Sequence, residues 1–323
     1  MKRREFIKVS LAASTTLILP LSGSSIGAPK NKVNFGICAD VHHDIMHDAP
    51  NRLQQFIQEA SNNNLDFIIH LGDFCRPYEY NQPFMDIWNS YNGKRYHTLG
   101  NHDMDGGFSR EQVVDFWKAK GKYYSFDHKG YHFIVLDGND KNPSLNRSGG
   151  YARFVGKEQL QWLKDDLSAT SLPCIVFSHQ SFDTNDDGVE NGEKIRALFE
   201  KANKAAGFNK VIAAFSGHHH TDYANQINGI YYIQINSMSY NWLGNNFKHI
   251  RYSKEIDKKH PWIKYTAPFK DPLYAFVKID GSSIKIKGKK TKYVGPSPSE
   301  LNYPKRPDNN PIVPYISNRK LNR

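Results

Sequence analysis

Apolar residues in this chain fall into short runs closed by turn signals, and the runs switch between a period of two and a helical period in a regular order. Val33 to Cys38, Phe67 to Leu71, Arg95 to Leu99, Cys174 to Phe177 and Val211 to Phe215 are apolar stretches with β character. Between the first two, Leu53, Phe56, Ile57 and Ala60 recur at the spacing of one helix face, so the opening reads strand, helix, strand. That order favours parallel strands with helices covering the sheet faces, an α/β class. Phe84, Ile87, Trp88 and Tyr91 keep helical spacing and read as a core face, which leaves Tyr78 and Tyr80 as the better substrate candidates of that stretch. Lys122 to Asp127 and Tyr131 to Asp137 read as two strands joined by a turn at His128-Lys129-Gly130. Gly156 to Leu167 reads as a helix, and Tyr231 to Ile235, Tyr274 to Ile279 and Ser283 to Lys287 as further strands.

Two segments lack this periodicity. A polar loop runs between Gly138 and Gly150, and an aromatic-rich region from Tyr240 to Pro272; both are expected to rim a site, because long loops in compact domains are commonly functional. From Gly295 onward six prolines argue against any regular element and predict an extended tail.

Composition refines this picture at the two ends. Lys2-Arg3-Arg4-Glu5-Phe6-Ile7-Lys8 precedes a mildly apolar run of 13 residues from Val9 to Leu21, too short to span a bilayer, with small residues from Ser25 to Ala28 for cleavage. This reads as an export signal over residues 1–28, and Arg3-Arg4 with Phe6 and Lys8 resembles a bacterial twin-arginine signal, although Lys2 stands where Ser or Thr is usual. The expected location is therefore periplasmic or secreted, and no later segment is apolar enough to span a membrane. The formal charge of +11 suggests nucleic acid only until it is located: without residues 1–28 it is +8, and Ser283 to Arg323 alone carries +8. A neutral body disfavours a broad phosphate-tracking groove, so nucleic-acid binding is a minor reading. The basic, Pro-rich tail, residues 291–323, reads as a solvated or surface-wrapping segment, with contact to an anionic surface as the alternative. Cys38, Cys75 and Cys174 are an odd number and give no disulfide framework; Cys38 and Cys174 read as buried thiols.

The chemistry lies at the strand ends. Asp40-Val41-His42, Gly72-Asp73, Gly100-Asn101-His102-Asp103, Ser178-His179 and Gly217-His218-His219-His220 each place metal-ligand side chains beside a tight turn, just beyond one of the five β runs. A lone histidine is most often a satisfied core residue, but that reading would have to hold at each run separately. In open α/β sheets the crevice beyond the carboxyl ends of the strands collects ligands, because loops converge there while strands fix their roots.

In this order the runs resemble the calcineurin-like metallophosphoesterase superfamily, whose pattern reads D-x-H, G-D, G-N-H-D/E, H and G-H-x-H. The resemblance covers roughly residues 33 to 240 and implies an α/β fold of two packed mixed β-sheets flanked by helices, a four-layer αββα sandwich over residues 29–290. It implies one metal held by Asp40, His42, Asp73 and His220, and a second by Asp73, Asn101, His179 and His218, with Asp73 shared. It also implies that His102 protonates the leaving group or stabilises the charged transition state, and that Asp103 orients the His102 ring. The reaction implied is hydrolysis of phosphate monoesters or diesters by a hydroxide bridging two ions about 3.5–4 Å apart. The mixed imidazole, carboxylate and amide set suits Mn, Fe, Zn or Co without choosing among them.

Several residues stand outside that pattern. Arg76 occupies the position three after Asp73 where purple acid phosphatases carry a tyrosine, which with His42 present argues against a tyrosinate-iron site and offers a contact to a substrate phosphate or carboxylate. His43 is a candidate substrate contact, His219 reads as surface or supporting, Asn236 and Ser237 follow a strand near the site, and metal ligation by Cys75 is disfavoured. Asp183, Asn185, Asp187 and Gly188 open like a calcium loop, but Lys194 stands where that loop needs an acid, so a polar turn is expected. The leading expectation is an exported metal-dependent hydrolase of small-molecule phosphoesters. A polynucleotide nuclease and a metal-stabilised, non-catalytic binding protein are the alternatives.

Overall fold

A computed structural model describes residues 32–145, 149–306 and 309–323. The expected export signal, residues 1–28, lies outside them. The first half of the chain runs β1 (Val33–Cys38), α1 (Ala49–Ser61), β2 (Phe67–His70), α2 (Gln82–Asn89), β3 (Lys94–His97), α3 (Arg110–Trp117), β4 (Tyr124–His128) and β5 (Tyr131–Val135). It continues α4 (Lys157–Ala169), β6 (Cys174–Phe177), α5 (Gly192–Ala206), β7 (Val211–Ser216), β8 (Tyr223–Ile227) and β9 (Ile230–Gln234). The last part is β10 (Tyr240–Trp242), α6 (Lys254–Lys259), β11 (Thr266–Pro268), β12 (Ala275–Ile279), β13 (Ser283–Lys287) and β14 (Arg319–Asn322). Each strand expected from the apolar pattern is present: β2, β5, β6 and β7 are buried along their whole length, while β12 and β13 carry exposed positions between buried ones.

The strands form two mixed six-stranded sheets, ordered β14-β13-β12-β1-β2-β3 and β4-β5-β6-β7-β9-β8, plus a two-stranded ribbon of β10 and β11. β1, β2 and β3 are parallel, as are β5, β6, β7 and β9. Alternation along each strand divides the core. Val33, Phe35 and Ile37 of β1 join Phe67 and Ile69 of β2 in the layer between the sheets, where Phe133, Phe177 and Phe215 arrive from the other sheet. The Phe35 ring stacks on Phe67 at 4.9 Å and meets Phe133, Phe177 and Phe215 edge-on. Leu53, Phe56 and Ile57 of α1 and Trp88 of α2 cover the outer face of the first sheet, while Leu163 of α4 and Phe199 of α5 cover the second. The result is the expected αββα sandwich. No helix among the described residues is long and apolar enough to cross a membrane.

The C-terminal segment departs from the extended tail expected of it. After its prolines, Arg319–Asn322 pairs antiparallel with β13 and extends the first sheet by an edge strand. Ile316 is buried in the inter-sheet core, and the Asp222 carboxylate accepts from the Ser317 backbone N–H and hydroxyl and from Arg319. A proline-free stretch following Pro314 and an unpaired edge on β13 supply what a strand needs.

Candidate metal centre

All five ligand-bearing runs open on one edge of the sandwich, where β1, β2, β3, β6 and β7 end. Five of the seven expected ligands have left-handed backbone: Asp40 (φ 52°), His42 (φ 52°), Asp73 (φ 48°), His218 (φ 73°) and His220 (φ 51°). Such a conformation costs an L-residue about 1–2 kcal/mol, so the surrounding structure must hold it. The Asp40 N–H donates to Gly72 O at 3.1 Å, and the His42 N–H to Asp73 O at 2.9 Å, tying the first turn to the second. The Ser237 hydroxyl donates to Asp40 O at 2.9 Å and the Ser239 hydroxyl to Val41 O at 2.7 Å. Ser237 thus supports the site from behind, while the Asn236 amide donates to Val313 O and Tyr315 O and anchors the C-terminal segment. Gly100 is required by close approach, since a Cβ there would collide with the backbone N and the carboxylate of Asp73.

The side chains converge as two adjoining clusters, Asp40 with His42 and His220, and Asp73 with His179 and His218. His179 Nδ1 donates to Leu71 O at 2.7 Å and His220 Nδ1 to Tyr240 O at 2.8 Å, which leaves each Nε2 with its lone pair facing inward. His179 Nε2 then faces Asp73 Oδ2 at 3.2 Å, Asn101 Oδ1 at 3.1 Å and His218 Nδ1 at 3.2 Å. His220 Nε2 faces Asp40 Oδ1 at 3.2 Å and His42 Nε2 at 3.3 Å. Groups of inward-facing acceptors in a buried space demand positive charge, so the residues present fit a pair of cations. The titration behaviour expresses the same demand. Burial works against a charged ring at His179, yet the charges of Asp73 and Asp40 outweigh it and raise that group to about 9. Burial likewise opposes charge on Asp73, and the neighbouring His179 and His102 nonetheless hold it well below the usual carboxylate range.

Asp73 stands between the clusters: its Oδ2 is 3.2 Å from His179 Nε2 and 3.6 Å from His42 Nε2, while Oδ1 accepts the His102 N–H at 2.8 Å. His102 sits beside the first cluster, its ring 5.1 Å from that of His42. The partner expected for it is corrected. Asp103 is buried and accepts the backbone N–H groups of Asp73, Phe74 and Gly100 at 2.7–3.0 Å, so it braces two turns and does not reach the imidazole. Asp105 takes that place, with Oδ2 at 2.8 Å from His102 Nδ1, and the Tyr151 hydroxyl donates to the same carboxylate at 3.0 Å. Burial works against the charged imidazole, but Asp73 and Asp105 prevail and raise His102 to about 9. The three-residue step from His102 to Asp105 within a turn was a readable signal for this pair; Tyr151 had none. Asp44, 3.5 Å from His42 Nδ1, is a further carboxylate that the motifs did not single out.

Other candidates sort by position. His219 lines the cavity and bonds through Nε2 to Asp186 O at 2.7 Å, a supporting place. His43 stacks on Phe84 at 4.3 Å in the core beneath the site. Cys75 is buried against Met85, 3.6 Å between sulfurs, and burial pushes its thiol well up. Tyr78 and Tyr80 stack on each other outside the cavity, so their expected substrate role is not supported by placement. Asp183 bonds Tyr223 and Asn225 while Asp187 pairs with Arg153, so these carboxylates diverge as a polar turn should.

The clusters form the floor of a cavity of about 630 Å³, walled by Arg76, Tyr151, Trp242, Trp262, Tyr303 and Arg306. Comparison with known proteins agrees with this geometry. A manganese-dependent ADP-ribose/CDP-alcohol diphosphatase of Oryza sativa subsp. japonica is 26% identical over 254 residues, covering 58% of this chain and 77% of its own length. In structure, a dimetal phosphatase from Danio rerio superposes with a TM-score of 0.57 at 14% identity, covering 81% of this chain and 98% of that one. The anchor in the inner membrane complex of Plasmodium gives 0.55 at 15% identity, covering 90% of this chain and 89% of that one. These two likenesses concern the fold alone. Residues 33–222 match the calcineurin-like phosphoesterase family, and the chain belongs to that family of metal-dependent phosphoester hydrolases.

Proposed function

We propose that this hydrolase cleaves small-molecule phosphoesters, foremost the anhydride bond of diphosphates esterified at both ends, and that Asp40, His42, Asp73 and His220 hold one metal ion while Asp73, Asn101, His179 and His218 hold the other. The observation that carries the reading is the cavity: its volume lies within the range of small-ligand sites, and its floor is formed by both clusters and His102. A duplex would need a broad cationic surface, and the body of the chain is neutral. The likeness to the plant diphosphatase supports a diphosphate over a simple monoester.

Bound at these positions, two cations supply Lewis acidity and a water acidified to near neutral pH. The chain's own residues do the rest. Asp103 and the Ser237 and Ser239 hydroxyls hold the turns that aim the ligands. His102, gripped at Nδ1 by Asp105, keeps Nε2 for the leaving-group oxygen and delivers its proton there. The test is turnover of a phosphate monoester, a phosphodiester and ADP-ribose after chelation and return of Mn²⁺. ADP-ribose is expected to give the highest kcat/KM, and activity confined to the monoester or to DNA would reject the reading.

Export is the second element of the proposal and rests on the Arg3-Arg4 segment. The full chain expressed in a bacterium is expected in the periplasmic fraction, and Arg3→Lys with Arg4→Lys is expected to retain it in the cytoplasm. An unchanged distribution in that variant counts against the twin-arginine route.

A further inference from the structure

Two large indoles stand in solvent at the mouth of the cavity, with Trp242 45% and Trp262 58% exposed. Both flank Tyr265, at 6.1 Å and 5.7 Å between ring centres, so they form one aromatic shelf. Neither position is accidental to the fold. Trp242 ends β10, two residues after Tyr240, whose carbonyl fixes His220, and the Asn241 side chain between them donates to His220 O at 2.5 Å. Trp262 lies two residues after His260, whose ring packs edge-on against that of His47 at 6.3 Å in the segment that follows His42. The shelf is thus tied to both ends of the first ligand cluster. Exposed apolar surface held rigidly beside a polar pocket is the usual form of a stacking platform.

On the same cavity wall lies Arg76. Its guanidinium is 5.5 Å from the Tyr78 ring centre, and its Nε is buried without a hydrogen-bond partner. A guanidinium lining the pocket beside the metal-binding side chains suits an oxyanion, for which its planar fork of N–H groups offers paired donors. Trp242, Trp262 and Arg76 all contribute from outside the ligand runs, and two of the three lie beyond residues 33–222, the part shared with the family.

Building on the diphosphate reading above, we infer that the substrate carries a planar heteroaromatic ring: Trp242 and Trp262 stack that ring, and Arg76 binds the phosphate that is not at the metal clusters. The division of labour separates the two anions of a diphosphate. One phosphoryl group is held over the clusters for attack, and the other is drawn to Arg76 on the wall.

The experiment uses the Mn²⁺-loaded full-length chain with ADP-ribose and with bis(p-nitrophenyl) phosphate, which has one phosphate. Arg76→Gln and Trp262→Ala are each expected to lower the ratio of kcat/KM for ADP-ribose over the single-phosphate ester by about 10- to 100-fold, mainly through KM. AMP is expected to quench the indole fluorescence of the wild type, and that quenching is expected to vanish in Trp242→Phe with Trp262→Phe. Turnover of ADP-ribose by the wild type with unchanged ratios in both variants, or quenching that survives the double substitution, overturns this inference alone. No turnover of ADP-ribose or of a CDP-alcohol by the loaded wild type overturns the diphosphate reading together with it.

Discussion

Asp73→Asn is expected to abolish most turnover and to lower bound metal below two ions per chain. Its carboxylate spans both clusters, with Oδ2 near His179 and His42 and Oδ1 engaged by the His102 N–H. An amide has a single acceptor oxygen. If that oxygen keeps the His102 bond, the NH₂ group is turned toward the ring nitrogens and opposes any cation there. The substitution also removes one of the two carboxylates among the expected ligands, Asp40 being the other. Loss of a partner that merely supports a ligand costs about 10–100-fold, so loss of the shared ligand is expected to exceed about 100-fold in kcat/KM. Metal analysis of the purified protein beside steady-state rates makes the check. Two ions retained at wild-type activity would falsify the shared-ligand assignment.

His102→Asn separates chemistry from metal loading. Both ions are expected to remain, because neither cluster uses the His102 ring, while kcat falls by about 10²–10⁴-fold as befits a lost general acid. The pH profile carries a sign. His102 donates only when protonated, so activity is present below its pKa and is lost as pH rises through it. Burial opposes the charge, yet Asp73 and Asp105 raise that group to about 9 in the metal-free chain, so the metal-loaded wild type is expected to show an alkaline limb below that value. Bound cations draw on the Asp73 charge and shift the limb toward neutral pH, but Asp105 remains at 2.8 Å. Asp105→Asn is therefore expected to move the limb to lower pH, and Asp103→Asn to reduce stability without that displacement. A limb that stays in place when Asp105 is changed would remove the carboxylate from this role.

The parts of this protein written locally were the legible ones. β1 and β2 could be placed because Val33, Phe35 and Ile37 alternate with residues facing the helices, and the period belongs to the strand itself. The hairpin of β4 and β5 could be placed because its turn lies between two short β runs. Helix α3 was missed although Ser109 and Gln112 form a capping box, and α5 although Ile195 and Phe199 share one face. Within the site, each expected metal ligand sits beside its turn, and the seven named from the sequence come together at one edge of the sandwich.

What a side chain faces across the molecule was not legible. Asp103 is adjacent to His102 in sequence, yet three N–H groups from turns 3 to 30 residues away capture its carboxylate, and Asp105 reaches the ring instead. Tyr78 and Tyr80 were favoured as substrate residues on their place before α2, whereas Trp242 and Trp262 form the wall because the ribbon of β10 and β11 meets His220 and the turn at His260 packs on His47. The tail became a strand because β13 offered an edge. The sequence by itself thus determined the layers and which side chains meet at the sheet edge, since period and turn chemistry are properties of a few neighbouring residues. Only the tertiary structure decided the left-handed backbone of Asp40, His42 and Asp73, the partner of His102 and the wall of the cavity, because each depends on hydrogen bonds and packing between segments far apart along the chain.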